Sequence, residues 1–172
     1  LVVFGVFSII EFFNINKKIT KNNAIQLSIN ILFILFVFTI SALFFLFSSM
    51  IQLKIILFIL LLGCIASDIG GYMIGKIFKG PKLTSISPNK TFSGFLGSLI
   101  FSMIIINTLF YYYFEIINIK IFLLAVLTSL GCQLGDLFFS LLKRKANLKD
   151  TGNLLPGHGG VLDRLDGIFF GL

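Results

Sequence analysis

Four apolar runs, at roughly 27–48, 55–75, 92–114 and 121–142, decide what this chain can become. Each is about 20 residues long, the length at which a helix crosses a ~30 Å hydrocarbon core. Lipid offers no partner to a backbone N–H or C=O, so such runs fold as helices that satisfy their own hydrogen bonds. The expected fold is therefore all-α: a polytopic transmembrane helix bundle whose polar loops lie at the membrane interface. Composition agrees, with 57% hydrophobic residues, 12% charged and a mean hydropathy of +1.03, which excludes an ordinary soluble domain. Two shorter apolar stretches, 1–13 and 161–172, are too short to cross alone. A chain that opens on Leu1 and stops inside an apolar run is what a fragment cut at both ends looks like.

The basic residues give an orientation. Lys17, Lys18 and Lys21 follow the first stretch, and Lys76, Lys79, Lys82 and Lys90 lie between the second and third long runs. Lys143, Arg144, Lys145, Lys149 and Arg164 follow the fourth, whereas Lys54 and Lys120 stand alone in the alternate connections. That is twelve of the fourteen on one side, which the positive-inside rule assigns to the cytosol. The net charge of +7 thus has a topological cause, and with no basic face separable from the spans a nucleic-acid partner is excluded. Cys64 and Cys132 fall in apolar spans without metal-ligand spacing and read as small core residues. Pro81, Pro88 and Pro156 all sit in the basic loops, as expected of loops with defined shape.

Five of the seven acidic residues, Asp68, Asp136, Asp150, Asp163 and Asp166, gather at that same end. Asp68 precedes Lys76 by eight residues and Asp136 precedes Lys143 by seven, which puts both carboxylates roughly 10 to 12 Å inside their helices at matching depth. Gly71 and Gly75 beside one, and Gly131 and Gly135 beside the other, have the GxxxG spacing that lets helix backbones approach closely. A carboxylate within a membrane is costly unless paired, hydrated or cation-bound, so each is a functional candidate. A salt bridge or packing hydrogen bond is the alternative for either one alone. Two at one depth, with more aspartates beside them, favour a shared cation site, and oxygen-only ligands favour Mg²⁺ over zinc.

The loop SISPNKTFSG (85–94) offers hydroxyls, Lys90 and free N–H groups at a helix start, which suit an anion; a capped helix with a snorkelling lysine explains it equally well. The stretch 140–166, SLLKRKANLKDTGNLLPGHGGVLDRLD, carries more. Lys143, Arg144, Lys149 and Arg164 can neutralise phosphates, Gly157, Gly159 and Gly160 let a backbone come close to a ligand, and Asp163 and Asp166 lie one helical turn apart.

That stretch closely resembles the signature of the phosphatidate cytidylyltransferases, or CDP-diglyceride synthetases. Ser140, Leu142, Lys143, Arg144, Lys149, Asp150, Gly152, Leu155, Pro156, His158, Gly159, Gly160, Val161, Asp163, Arg164, Leu165 and Asp166 fill every specified place. SDIGGYMIGK around Asp68, and SPNKTFSG with Ser87, Pro88, Lys90, Thr91 and Gly94, are also similar to the family. The resemblance covers 66 to the end, so the chain divides into hydrophobic N-terminal spans, 1–65, and a catalytic region, 66–172, with cytosolic loops 76–91 and 143–164. One departure stands out: Phe139 occupies the position before Ser140 where bacterial members usually carry Glu.

The resemblance implies Mg²⁺-dependent transfer of CMP from CTP to phosphatidate, giving CDP-diacylglycerol and pyrophosphate, at the cytosolic face of the inner membrane. It implies metal-side roles for Asp136, Asp163 and Asp166, with Asp68 a fourth candidate and a second cation an open option. Lys143, Arg144, Lys149 and Arg164 would hold phosphates, with Asp150, Gly159 and Gly160 beside them, and Ser87, Lys90 and Thr91 would bind nucleotide or lipid head. His158 is either a general base or a hydrogen-bonding group, because a phosphate monoester is already ionised near pH 7. The expected partners are CTP, phosphatidate and membrane lipids, with a homodimer left open. The rivals are transfer to another lipid, a lipid kinase and, from a different class, a cation-coupled transporter; the longer aspartate pattern of the CDP-alcohol phosphotransferases is not found.

Overall fold

The computed structural model describes residues 2–84, 87, 90–152 and 159–172. Among them are helices α1 (Val2–Ile19), α2 (Asn23–Ser49), α3 (Ile51–Phe78), α4 (Phe92–Phe114), α5 (Ile119–Lys145), α6 (Leu162–Leu165) and α7 (Ile168–Gly171), and no strand. α2 to α5 are long and apolar enough to cross a membrane, which makes this a multi-pass membrane protein. Side chains cap the starts of α2, α4 and α5. Asn22 Oδ1 accepts from Ala24 N–H at 2.9 Å, Thr91 Oγ1 from Gly94 N–H at 3.1 Å and Asn118 Oδ1 from Lys120 N–H at 3.2 Å.

The two terminal stretches behave differently from each other. The first continues through its polar tail into an 18-residue helix, because Asn16 turns inward. Its Nδ2 donates to Gln26 O (3.1 Å) and Asn30 Oδ1 (2.7 Å), fixing how α1 rotates against α2. The last stretch breaks into α6 and α7, which fold back beside α5.

Small residues set the contacts. Gly70 and Gly71 press against Gly97 O and Ser98 on α4, so α3 and α4 touch almost backbone to backbone. Gly131 and Gly135 do not carry α5 onto α3, as the shared spacing suggests; they receive the backbone of 166–171. α3 meets α5 instead through a buried Ser67–Ser129 hydrogen bond of 2.9 Å. Both cysteines are buried, as expected, and Gly171 lies against both sulfurs.

Phe139 is 1% exposed and joins Phe12, Phe33 and Phe169 in one apolar core, its ring 6.3 Å from that of Phe33. A polar group here would be buried without a partner. Phe139→Ala is expected to cost about 3 to 5 kcal/mol and Phe139→Leu less than about 1.5 kcal/mol, both read from melts in detergent.

Candidate active site

The loop between α3 and α4 folds back on itself: Leu83 N–H donates to Lys90 O (2.8 Å), Lys82 pairs with Thr91, and Phe92 N–H reaches Pro81 O (3.0 Å). This brings Lys90 over α5, where its Nζ meets Asp136 Oδ2 at 2.5 Å. Ser140 Oγ, one turn on, donates to the other oxygen of Asp136 at 3.3 Å. The described residues of the loops 79–91 and 146–161 and the end of α1 thereby share one end of the bundle with twelve of the fourteen basic residues.

At that end a cavity of about 390 Å³ opens between α3, α4, α5 and the segment after α6. Asp68, Asp136, Asp163 and Asp166 all line it, together with Ser87, Lys90, Thr91 and Gln133. Thus four aspartates that stand up to 98 positions apart in sequence line one cavity. By helical rise Asp68 lies about 15 Å inside the end of α3 and Asp136 about 13 Å inside that of α5, at comparable depth.

The four carboxylates are not equivalent. Asp163 is held from every side: Lys143 Nζ donates to Oδ1 at 2.6 Å, and Oδ2 accepts from Thr151 N–H (2.8 Å), Gly160 N–H (3.0 Å) and Thr151 Oγ1 (3.0 Å). Burial alone would raise its pKa, but Lys143 and the two backbone donors outweigh that and hold it below the usual carboxylate range. Among the described residues Asp166 accepts from Gly167 N–H, at 2.8 Å. Burial, and then the nearby charge of Asp136, push its pKa up to about 7. Among the described residues neither Asp68 nor Asp166 has a lysine or arginine in ion-pair contact.

An acidic cavity repels a polyphosphate unless a cation comes with it. The donors facing the cavity are oxygens of aspartate and hydroxyl, the set that suits Mg²⁺. No three acidic, histidine or cysteine side chains among the described residues converge to hold a metal by themselves. Mg²⁺ commonly uses one or two carboxylates, keeps waters and takes the rest of its shell from substrate phosphates, so this donor set fits.

Arg144, Lys149, Asp150, Gly159, Gly160 and Arg164 do not line this cavity. Arg144 is exposed, with Nη1 3.4 Å from Leu148 O. Lys149 and Arg164 are also exposed and do not line it. Asp150 faces a second, open cleft with Asn14, Lys17, Lys18 and Thr151. Gly159 has φ +80°, a conformation that L side chains rarely adopt, and Gly160 gives its N–H to Asp163. Thr91 is occupied as the cap of α4. His158, Pro156 and Pro88 lie outside the described residues.

Gln133 in the cavity and Glu11 beside it were not expected from the sequence. Glu11 of α1 is 2% exposed, and its carboxylate accepts from Thr151 Oγ1 (2.8 Å), Val161 N–H (3.0 Å) and Leu162 N–H (2.8 Å). The available signal was its position, the sole charge in LVVFGVFSIIEFF.

The model of the cytidylyltransferase family matches residues 1–172, the first 65 included. The chain belongs to that family. Proteins named phosphatidate cytidylyltransferase are among its relatives. That of Mycobacterium leprae is 44% identical over 115 residues, covering 64% of this chain and 36% of that protein. That of Mycobacterium tuberculosis (strain H37Rv) is 45% identical over 115 residues, 64% of this chain and 34% of that protein. That of Staphylococcus haemolyticus is 44% identical over 106 residues, 60% and 41% respectively. The match thus spans about a third to two fifths of these relatives' length.

Proposed function

We propose that the full-length protein transfers CMP from CTP to phosphatidate with Mg²⁺, from the cytosolic side of the cell's inner membrane. One observation supports this above the rest: Asp68, Asp136, Asp163 and Asp166 line a single cavity that also holds Lys90. Family membership supports nucleotidyl transfer over ion transport, and the relatives' names supply phosphatidate as acceptor.

In this reaction an oxygen of the lipid phosphate forms a bond to the α-phosphorus of CTP, and the bond to the bridging oxygen of the β-phosphate breaks, releasing pyrophosphate. Negative charge builds up on the transferring and leaving groups. Lys90 uses one of its three ammonium protons on Asp136 and keeps two for phosphate oxygens. Lys143 anchors Asp163 and holds the segment beneath it. Asp136 together with Asp166 or Asp68 would hold Mg²⁺, which would supply charge neutralisation at the phosphates. The exposed cations Arg144, Lys149 and Arg164 form the approach for CTP. Little covalent chemistry is asked of the chain, and holding both substrates in line accounts for most of the effect. The site's depth suits a lipid entering from the bilayer and a nucleotide arriving from water.

Full-length protein in detergent, given CTP, phosphatidate and Mg²⁺, should release pyrophosphate, and dolichol or another lipid alcohol in place of phosphatidate should not support it. No pyrophosphate release refutes the reading. For orientation, Lys82→Cys and Lys145→Cys should resist an impermeant thiol reagent outside intact cells, while Asn118→Cys reacts. Labelling of the first two would place the cavity on the wrong side for CTP.

A further inference from the structure

We infer that Glu11 is a positioning residue for this site: it fixes Thr151 and the segment 159–162 and, through them, the placement of Asp163 and Asp166. The inference deepens the proposed cytidylyl transfer and rests on it. The geometry begins on α1, whose rotation is set by the Asn16 contacts to α2. That rotation sends Glu11 inward, where it is nearly sealed from solvent. Its two oxygens then take N–H groups from Val161 and Leu162 at the start of α6 and the hydroxyl of Thr151. The same hydroxyl lies 3.0 Å from Asp163 Oδ2, so one Thr151 proton sits between two carboxylates and ties them to a common frame.

The glycines around it make sense in this light. A Cβ on Gly152 would come within 2.7 Å of Glu11 Oε1, and one on Gly160 within 2.5 Å of Oε2. The Glu11 carboxylate leaves no room for a side chain at Gly152, and that carboxylate together with the Thr151 hydroxyl leaves none at Gly160. Asp166 follows α6 directly, so a turn of that short helix re-aims Asp166 in the cavity. Removing the Glu11 anchor leaves two buried N–H groups without acceptors and frees α6 to rotate.

The test uses full-length protein in detergent and two variants, Glu11→Gln and Thr151→Val, with Glu115→Gln at the far end of the bundle as control. Two quantities are read: amide hydrogen exchange over 159–166, without any ligand, and transfer kinetics across a Mg²⁺ titration. In Glu11→Gln the amides of Val161 and Leu162 should exchange at least about tenfold faster, kcat should fall at least about tenfold, and half-maximal activity should need more Mg²⁺. Thr151→Val should shift the same readings in the same direction, less strongly, and it decides the matter if Glu11→Gln does not fold. A purely structural Glu11 lowers the folded fraction and leaves kcat per folded molecule and the Mg²⁺ half-point unchanged, which overturns the inference. Unchanged exchange also overturns it. If wild type transfers no CMP, the functional reading fails, and the exchange data alone still decide whether Glu11 fixes the segment.

Discussion

Asp136→Asn is expected to lower transfer by about two orders of magnitude or more, with part of the loss recovered at high Mg²⁺. The variant keeps the size of the side chain and removes the charge that hard-cation coordination needs. In the structure it also removes the partner of Lys90. That pair is partly exposed, 26% on the lysine and 35% on the aspartate side, so its loss alone costs at most about 1 kcal/mol of stability. A melt within a few degrees of wild type is therefore expected beside a large loss of activity. Asp68→Asn should act in the same direction with a smaller loss, since among the described residues no lysine is in ion-pair contact with Asp68. Full activity of Asp136→Asn at low Mg²⁺ would mean that Asp136 is a packing residue whose partner is Lys90, and the proposed metal side would move to Asp166 and Asp68.

The spans were legible in the sequence because one physical rule, backbone satisfaction in lipid, acts on local composition. The shared end of the basic loops was legible for a similar reason. The convergence of Asp68, Asp136, Asp163 and Asp166 was legible in part, through depth: equal distance from a helix end is a sequence quantity. What faces what was not. GxxxG spacing says that a backbone comes close, and it does so at Gly131 and Gly135, yet nothing local tells a neighbouring span from a folded-back tail. Lys90 and Lys143 read as phosphate ligands because lysine near a signature suggests an anion; in the fold each is bound to an aspartate 46 and 20 positions away. Glu11 was missed because its partners, one hydroxyl and two backbone N–H groups, lie 140 or more residues on, and backbone donors have no signature in sequence.

Gly135→Ala tests the least local part of this arrangement. A methyl at that position would overlap the carbonyl oxygen of Asp166 and come within 3.1 Å of the Phe170 ring and 3.2 Å of its Cβ. The obstacle is backbone, which cannot rotate away as a long side chain would. The 166–171 segment must lift from α5, and Asp166 lifts with it. Overpacking of this kind costs about 1 to 3 kcal/mol, while displacement of a reacting group by about 1 Å costs on the order of a hundredfold in rate. Activity should therefore fall by about two decades while the protein still inserts and shows a cooperative, lowered melt. Gly131→Ala, which meets Phe170 O but not Asp166, should lose comparable stability and less activity. Leu134→Ala, on the exposed side of the same helix, should change neither by much. The measurement is transfer rate per folded molecule for all three variants beside their melts. Equal activity losses in Gly131→Ala and Gly135→Ala would show that the tail acts only as packing. Wild-type activity in Gly135→Ala would remove Asp166 from the site.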